Sequence, residues 1–521
     1  MADTSTQDEG LRAALEGRPL GRWLHYERCV NDRVVNPLTH HPLKEHPTRA
    51  PGPAYAPGAS WEQPVMFVPV REARAYGNPA SLLEERLRIT TPRGRVPILV
   101  HPRSHRVHSA AIRAHGLHPT GVTVTPTASF RSVLAVRAGC EPLLLKLSLD
   151  AVLGERRRIL REPQIVRALL VSTLFDCIPE SDRRLLGLEW FPERAGAVET
   201  RTGYGYLVRE PCPSLRATGG TATLVPMFSL ASERPGARPL LVERIEASGE
   251  RPEIVFVREL VRPYVSALAY LVFEQGLYPE AHAQNVLFEV AAEGSLTGRL
   301  ALRDMSDMSV NVALRAAKDR PLPAPPAGFF PARLPFSPLN LAQNQWVTPR
   351  RARDQRGWMT MQLYGAEGGL WPVITSLKRH YPGFAETAVY EVYRRLWQRA
   401  AQAYLGVTPE LRGDRHAMAI DEAIAHFVTH APWEARGARG PVALEPDVDM
   451  LLCPGRTRPR RGHVYRVVKT GWGSVFLEET GRPAFFRSAR VAKGMRLVGL
   501  LRLDRLQAPR RLRRRARSRA T

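Results

Sequence analysis

The chain has 521 residues, 44% of them hydrophobic and 24% charged. That is the composition of a globular protein of roughly two to four packed units, and it excludes a largely disordered chain. Five cysteines lie far apart with no C-x-x-C pair, which argues against a disulfide framework and a zinc finger and for a reducing compartment. The formal charge of +25 is carried by 69 arginines and only six lysines, an arginine bias of the kind a GC-rich coding sequence writes into surface positions. The alternative source of such a charge is attraction of an anion, whether nucleotide, polycarboxylate or nucleic acid. Seven arginines fall between Arg510 and Arg519 and four more between Arg456 and Arg461. With lysine this scarce, each lysine is informative.

The N-terminus, MADTSTQDEG, is acidic and polar, unlike a signal peptide. The most apolar stretch, Tyr264 to Phe273, is far shorter than the roughly 20 residues of a membrane span. The expectation is a soluble, cytoplasmic protein without a membrane partner. Residues 1–60 hold a short helix and then a Pro/His-rich loop. From Val65 to Arg137, short β-rich runs alternate with turn signals, among them Val65–Val70, Val96–Val100 and Gly121–Thr125. Leu143 to Leu149 is a further apolar run, and Leu153 to Leu174 has helical spacing. Residues 252–277 read as one long helix with Leu260, Val261, Tyr264, Leu268, Leu271 and Val272 on a stripe. Strand-like runs follow at 281–290 and 300–312. Seven prolines between Asp319 and Pro338 mark a linker or long loop. Helices at 383–404 and 416–430 and short strands over 463–503 complete the chain. The alternation is not βαβ, so the class is α+β.

Several segments carry chemistry. Ser129-Phe-Arg-Ser132 places two hydroxyls around an arginine, a set able to grip phosphate. Taken alone, a Ser-x-Arg triplet in so arginine-rich a chain is commonplace. Lys146 interrupts the apolar run 143–149. A lysine buried in a strand must find a counter-charge, and strand lysines that face nucleotide phosphates do; the plain alternative is an edge-strand lysine reaching water. Glu280-Ala-His-Ala-Gln-Asn285 and Arg303-Asp304 bring together carboxylates, an amide and an imidazole. If extended, the first segment places Glu280, His282 and Gln284 on one face. Oxygen ligands of this kind suit Mg²⁺ held with phosphates, and imidazole suits anion contact or proton handling; a structural histidine is the plain alternative. His40, His41 and His46 lie on a proline-braced loop whose spacing fits no zinc site, leaving anion contact or a solvated loop. His101 stands at a strand end beside Pro102, where it could line a cleft.

In this order the segments resemble the IucA/IucC family of siderophore synthetases that act independently of peptide synthetases. The correspondence rests on His41-Pro42 with His46-Pro47, on Val100-His101-Pro102, on Pro126-Thr-Ala-Ser129-Phe-Arg131-Ser132, on Lys146 with Arg158 twelve residues later, on Glu280-x-His282-x-Gln284-Asn285 and on Arg303-Asp304. It spans about residues 36–315. The resemblance implies a multi-lobed, hand-like α+β fold with a β-rich nucleotide-binding lobe and a helical palm. The units expected are a shortened N-terminal lobe (1–110), an ATP-binding core (111–315), a helical lobe (316–445) and a basic extension (446–521).

The resemblance also implies an ATP- and Mg²⁺-dependent, adenylate-forming acid–amine ligase. A carboxylate of citrate or a related polycarboxylic acid would attack the α-phosphorus of ATP, and an amine or hydroxyl would then displace AMP. Ser129, Arg131, Ser132 and Lys146 would hold the nucleotide, with Gln284, His41 and His46. His282, Arg158 and Lys146 would be catalytic, His282 at the α-phosphate or the acid and Arg158 facing both adenylate and acid. Glu280, Gln284 and Asp304 would stand near Mg²⁺. A homodimer is an open alternative. One departure concerns the acid: Gly154-Glu155 stands where the family offers a hydroxyl or amide. Two other readings compete. A kinase-like phosphotransferase would use Lys146, His282 and Asp304, but its base position near the histidine is Gln284. A non-catalytic, nucleic-acid-binding protein would act through the basic C-terminus.

Overall fold

The computed structural model describes residues 15–31, 35, 60–324, 328–329, 359–406 and 440–446, apart from 16, 154–155, 218–219 and 235, and the backbone of four strands between 464 and 502. Helix α1 (Pro19–Cys29) opens the described chain. Strands β1 (Trp61–Glu62), β2 (Val65–Pro69), β3 (Ala73–Tyr76), β4 (Arg95–Leu99), β5 (Thr123–Pro126), β6 (Ser132–Val136) and β7 (Leu143–Leu147) follow, with helix α2 (Pro79–Leu87) between β3 and β4. An antiparallel pair, β8 (Leu149–Leu153) and β9 (Arg156–Arg158), leads into α3 (Glu162–Asp176). Next come β10 (Leu188–Trp190), β11 (Glu193–Glu199), β12 (Gly205–Arg209) and β13 (Thr223–Pro226). After the long helix α4 (252–274) stand β14 (Leu277–Tyr278), β15 (Val286–Val290), β16 (Leu296–Leu302) and β17 (Ser309–Val310). Helices α5 (359–380) and α6 (Glu386–Leu405) pack behind them. The last strands are β18 (Val464–Gly471), β19 (Ser474–Glu479), β20 (Arg482–Phe486) and β21 (Gly499–Arg502), which form their own antiparallel sheet. The class is α+β.

Two sheets position the site. The first is a seven-stranded antiparallel sheet in the order β1-β5-β6-β7-β12-β11-β3. β7, Leu-Leu-Leu-Lys-Leu, is its middle strand and is buried at every position. That burial explains why the strand reads as a continuous apolar run rather than an alternating one: both faces are covered. On one face Val133, Leu145, Leu147, Tyr206 and Val208 pack with β2, β4 and α2. On the other, Leu134 and Leu144 pack with Trp23, Phe191, Leu287 and Ala301, while Leu207 meets α3. Gly205 lets α3 lie this close, since a Cβ there would stand 2.6 Å from Ile165 Cδ1 and 2.6 Å from Ala197 O.

The second sheet, β10-β16-β15-β13, is antiparallel apart from the parallel pair β10 and β16. It packs on α4, whose Tyr264, Leu268, Leu271 and Phe273 belong to one large core with α5 and α6. The helix expected over 252–277 forms, but it is buried on nearly all sides rather than along one stripe. Two π-helical turns, at 257–261 and 270–274, interrupt it. Pro263, which has no N–H, follows the first, where Arg262 N–H reaches back five residues to Val257 O.

The helical spacing over Leu153–Leu174 is corrected at its start: β8 and β9 pair antiparallel there, and the helix begins at Glu162 behind Arg161. Pro163 in the first turn suits a helix start, where an N–H has no partner to lose. Among the described residues, no helix is long and apolar enough to cross a membrane. The histidine-rich loop at 39–47, the centre of the proline-rich segment and the helix expected at 416–430 lie outside the described residues, as does the arginine-rich end.

Candidate active site

The site begins at the turn from β5 to β6. Thr127 N–H donates to Ser132 O (2.8 Å), and Phe130 N–H to Thr127 O (3.2 Å). Ser129 Oγ accepts from Ser132 N–H at 3.1 Å. Phe130 takes a φ of 60°, where a bulky side chain is strained by about 1–3 kcal/mol. Its ring packs on Leu149 and Ala151, while Ser129, Arg131 and Ser132 line the cleft. His101 lies behind this turn rather than in the cleft. It is fully buried, hydrogen-bonded to the Phe130 backbone and 5.4 Å from the Trp61 ring. Burial, followed by the nearby Arg103 charge, lowers its pKa to about 4, so the ring is neutral at pH 7.

Strand register then aligns the charges. Ser132 lies opposite Lys146, and Lys146 opposite Leu207, two residues before Arg209. The period of two puts Ser132, Lys146 and Arg209 on one face. Lys146 is on the central strand, so it does not reach water from an edge. It donates to Asp304 Oδ1 and, at 2.7 Å, to Ser306 Oγ. Burial would raise the Asp304 carboxyl, but the Lys146, Arg209 and Arg131 charges outweigh it and hold the group well below the ordinary aspartate range. Burial also draws Lys146 below the usual lysine value, against the pull of Asp304. Asp304 itself has a φ of 72°, just beyond the end of β16. Arg209 is braced from behind by the fully buried Glu193 at 2.5 Å.

The third wall is Glu280 to Asn285. It is a turn, not the extended segment expected, because His282 N–H bonds Glu280 O (2.9 Å) and Asn285 N–H bonds His282 O (2.8 Å). Glu280, His282 and Gln284 thus reach one cleft through a compact reversal rather than by strand alternation. Helix α5 braces it: Tyr364 donates to Glu280 Oε1 at 2.6 Å, and Ala283 N–H to Gly368 O at 3.0 Å. At Gly369 a Cβ would lie 2.7 Å from the Tyr264 hydroxyl, so only glycine allows this approach. His282 Nδ1 faces Gln284 N–H at 3.3 Å, and Nε2 lies 3.3 Å from Asn285 Nδ2. Burial lowers its pKa to about 4 despite the Asp304 charge, leaving a neutral ring.

Together these walls line one open cleft. It is lined by Ser129, Arg131, Ser132, Lys146, Arg158, Glu280, His282, Gln284 and Asp304 from the motifs, with Asn285 and Arg303 beside them. His41 and His46 lie outside the described residues, as does Glu155. Two lining residues were missed by the sequence reading, Arg209 and Asp307. Arg209 ends an apolar strand as Lys146 interrupts one, which was its available signal. Asp307 had none.

The donors fit an anion rich in oxygens. Buried Arg303 Nη2 and Arg209 Nε have no hydrogen-bond partner, and an unpaired buried donor costs about 1–3 kcal/mol. Among the described residues no three His, Cys, Asp or Glu side chains gather as a metal cluster. Asp304 Oδ1 is taken by Lys146 and Ser306, and Glu280 Oε1 by Tyr364. So sparse a set of carboxylates suits a divalent cation that arrives with phosphates and needs only one or two of them.

Residues 52–232 match the IucA / IucC family. This segment bears the IucA/IucC family pattern. It contains the β5–β6 turn, Lys146 and Arg158, and ends before the Glu280–Asn285 turn. No curated protein sequence matches the chain. Among solved structures, the petrobactin biosynthesis protein AsbB from Bacillus anthracis str. Sterne is similar at a TM-score of 0.54 and 15% identity, over 78% of this chain and 72% of that one. The ATP-bound aerobactin synthetase IucA from a hypervirulent pathotype of Klebsiella pneumoniae is similar at 0.53 and 13%, over 81% and 75%. At these identities the likeness establishes a shared fold, over a larger share of the chain than the family match spans.

Proposed function

We propose that the chain is an ATP-dependent, siderophore-synthetase-like ligase that activates a carboxylate of citrate or a related polycarboxylic acid and joins it to an amine or hydroxyl. The observation that carries this reading is convergence. A hydroxyl–arginine turn, a central-strand lysine paired with a carboxylate 158 positions away, and a neutral histidine line one cleft. The IucA/IucC match and the ATP-bound relative of the same fold support it.

In this reading Ser129, Arg131, Ser132 and Lys146 bind the triphosphate, and Arg209 and Arg303 offer further donors to it. An acid carboxylate attacks the α-phosphorus as the bond to the bridging oxygen breaks, and pyrophosphate leaves. The amine or hydroxyl then attacks the acyl carbon, loses a proton and releases AMP. Bringing an anion to a polyanion requires offsetting charge, which the arginines and Lys146 supply without reorganising. Neutral His282 hydrogen-bonds the α-phosphate or the acid, and Arg158 holds the acid. A bound Mg²⁺ would neutralise phosphate charge, and Glu280, Asp304 and Asp307 are the residues to hold it.

The test is pyrophosphate release with Mg-ATP across di- and tricarboxylates, first alone and then with polyamines and amino-acid-derived amines. AMP with pyrophosphate is the expected product pair. ADP would instead indicate a phosphotransferase, for which the residue two beyond His282 is an amide, Gln284, and not a base.

A further inference from the structure

We infer that Glu27, on α1 and outside the cleft, is a positioning residue that locks two of the cleft's anion-facing walls together. This inference rests on the nucleotide reading above. Glu27 is fully buried. Its Oε1 accepts from Arg303 Nη1, and its Oε2 accepts from Ala128 N–H at 3.2 Å. Ala128 belongs to the β5–β6 turn that presents Ser129, Arg131 and Ser132. Arg303 is also held through Nε to Gln284 O at 2.7 Å, which ties it to the His282 turn. With Nε and Nη1 so engaged, the one guanidinium nitrogen left without a partner is Nη2, on a residue that lines the cleft. One carboxylate therefore sets both the turn and the orientation of Arg303.

The rest of α1 is a strap that carries this carboxylate into place. Arg22 Nη2 bonds Ala222 O at 3.1 Å, and Thr223 Oγ1 bonds Pro19 O at 3.2 Å. Ser229 Oγ bonds Tyr26 O at 3.0 Å, Arg28 Nη1 bonds Thr125 Oγ1, and Trp23 packs on Phe191. These contacts dock the helix along β13 and β5 but touch no cleft residue. Docking and positioning can therefore be separated by mutation.

The experiment titrates full-length protein with Mg-ATP and, separately, with tripolyphosphate by calorimetry, and records urea unfolding of each variant. Glu27→Gln is expected to raise both dissociation constants by about tenfold or more, with KM for ATP rising in parallel and kcat within about threefold. Arg22→Met, which loosens only the docking, is expected to lower the urea midpoint and leave both constants within about twofold. Should Glu27→Gln fail to fold, Glu27→Asp keeps the charge but withdraws it by one methylene, and the same criterion applies. Folded Glu27 variants that bind as wild type overturn the inference. So does a loss of binding that tracks the urea midpoint equally in Arg22→Met. A wild-type protein that binds tripolyphosphate but not ATP sinks the nucleotide reading while leaving the Glu27 comparison decisive; one that binds neither overturns both.

Discussion

Replacing Lys146 with alanine should damage both activity and stability, and the structure separates the two. The ammonium is 2% exposed and is the nearest counter-charge to Asp304. Removing one partner of a buried pair costs about 3–5 kcal/mol, because the other charge is left stranded. Arg209 and Arg131 also act on Asp304, so the lower end, about 3 kcal/mol, is expected at pH 7. The pH dependence follows from the sign. In the wild type the depressed Asp304 pKa contributes stability that is present above its unfolded value of 3.8 and is lost as pH falls through the folded value. In Lys146→Ala the largest of the charges that lower it is gone, so the same carboxyl moves up from its wild-type position and the deficit against wild type shrinks as the pH is lowered. Loss of a phosphate-directed charge costs about 3 kcal/mol in the transition state, on the order of a hundredfold in pyrophosphate release. Lys146→Met with Asp304→Asn removes both charges and should recover most of the stability but none of the activity. Urea unfolding and pyrophosphate release on the three proteins decide the matter. Lys146→Ala within about 0.5 kcal/mol of wild type and within a few-fold in rate would refute the reasoning, since that is the range of an uninvolved surface position.

Other substitutions probe the remaining walls. Arg158→Ala should lower pyrophosphate release about tenfold to a hundredfold with little change in urea midpoint, because Arg158 sits only half-buried on a three-residue strand; an unchanged rate removes it from the site. His101 is held neutral with a pKa of about 4 against 6.5, so it withdraws stability as pH falls from about 6.5 towards 4, by about 2 kcal/mol at pH 5. His101→Asn should flatten that acid limb, and parallel urea midpoints at pH 7 and pH 5 in both proteins would contradict the assignment. Glu155→Thr should raise citrate-dependent pyrophosphate release if the carboxylate repels the acid; unchanged citrate kinetics would place Glu155 outside the pocket.

Much of the site was legible along the chain, because the chemistry of individual residues survives in linear order. Lys146 stood out as a charge within an apolar run, and such a run marks a strand covered on both faces. The hydroxyl–arginine–hydroxyl pattern marked the β5–β6 turn, and the apolar stretch over 252–277 marked the buried central helix. Tertiary structure decided what depended on partners distant in sequence. Glu280, His282 and Gln284 share a cleft through a hydrogen-bonded turn braced by α5, a geometry that no alternation pattern encodes. Arg209 entered through strand register, which sets its face by pairing with β7 and β11 rather than by its own neighbours. Glu27 lies 276 positions from Arg303 and 101 from Ala128, so its role exists only once α1 has docked. Local sequence dictates which groups are costly to bury; only the assembled fold dictates which partner relieves that cost, because the relieving charge comes from whichever element is packed alongside.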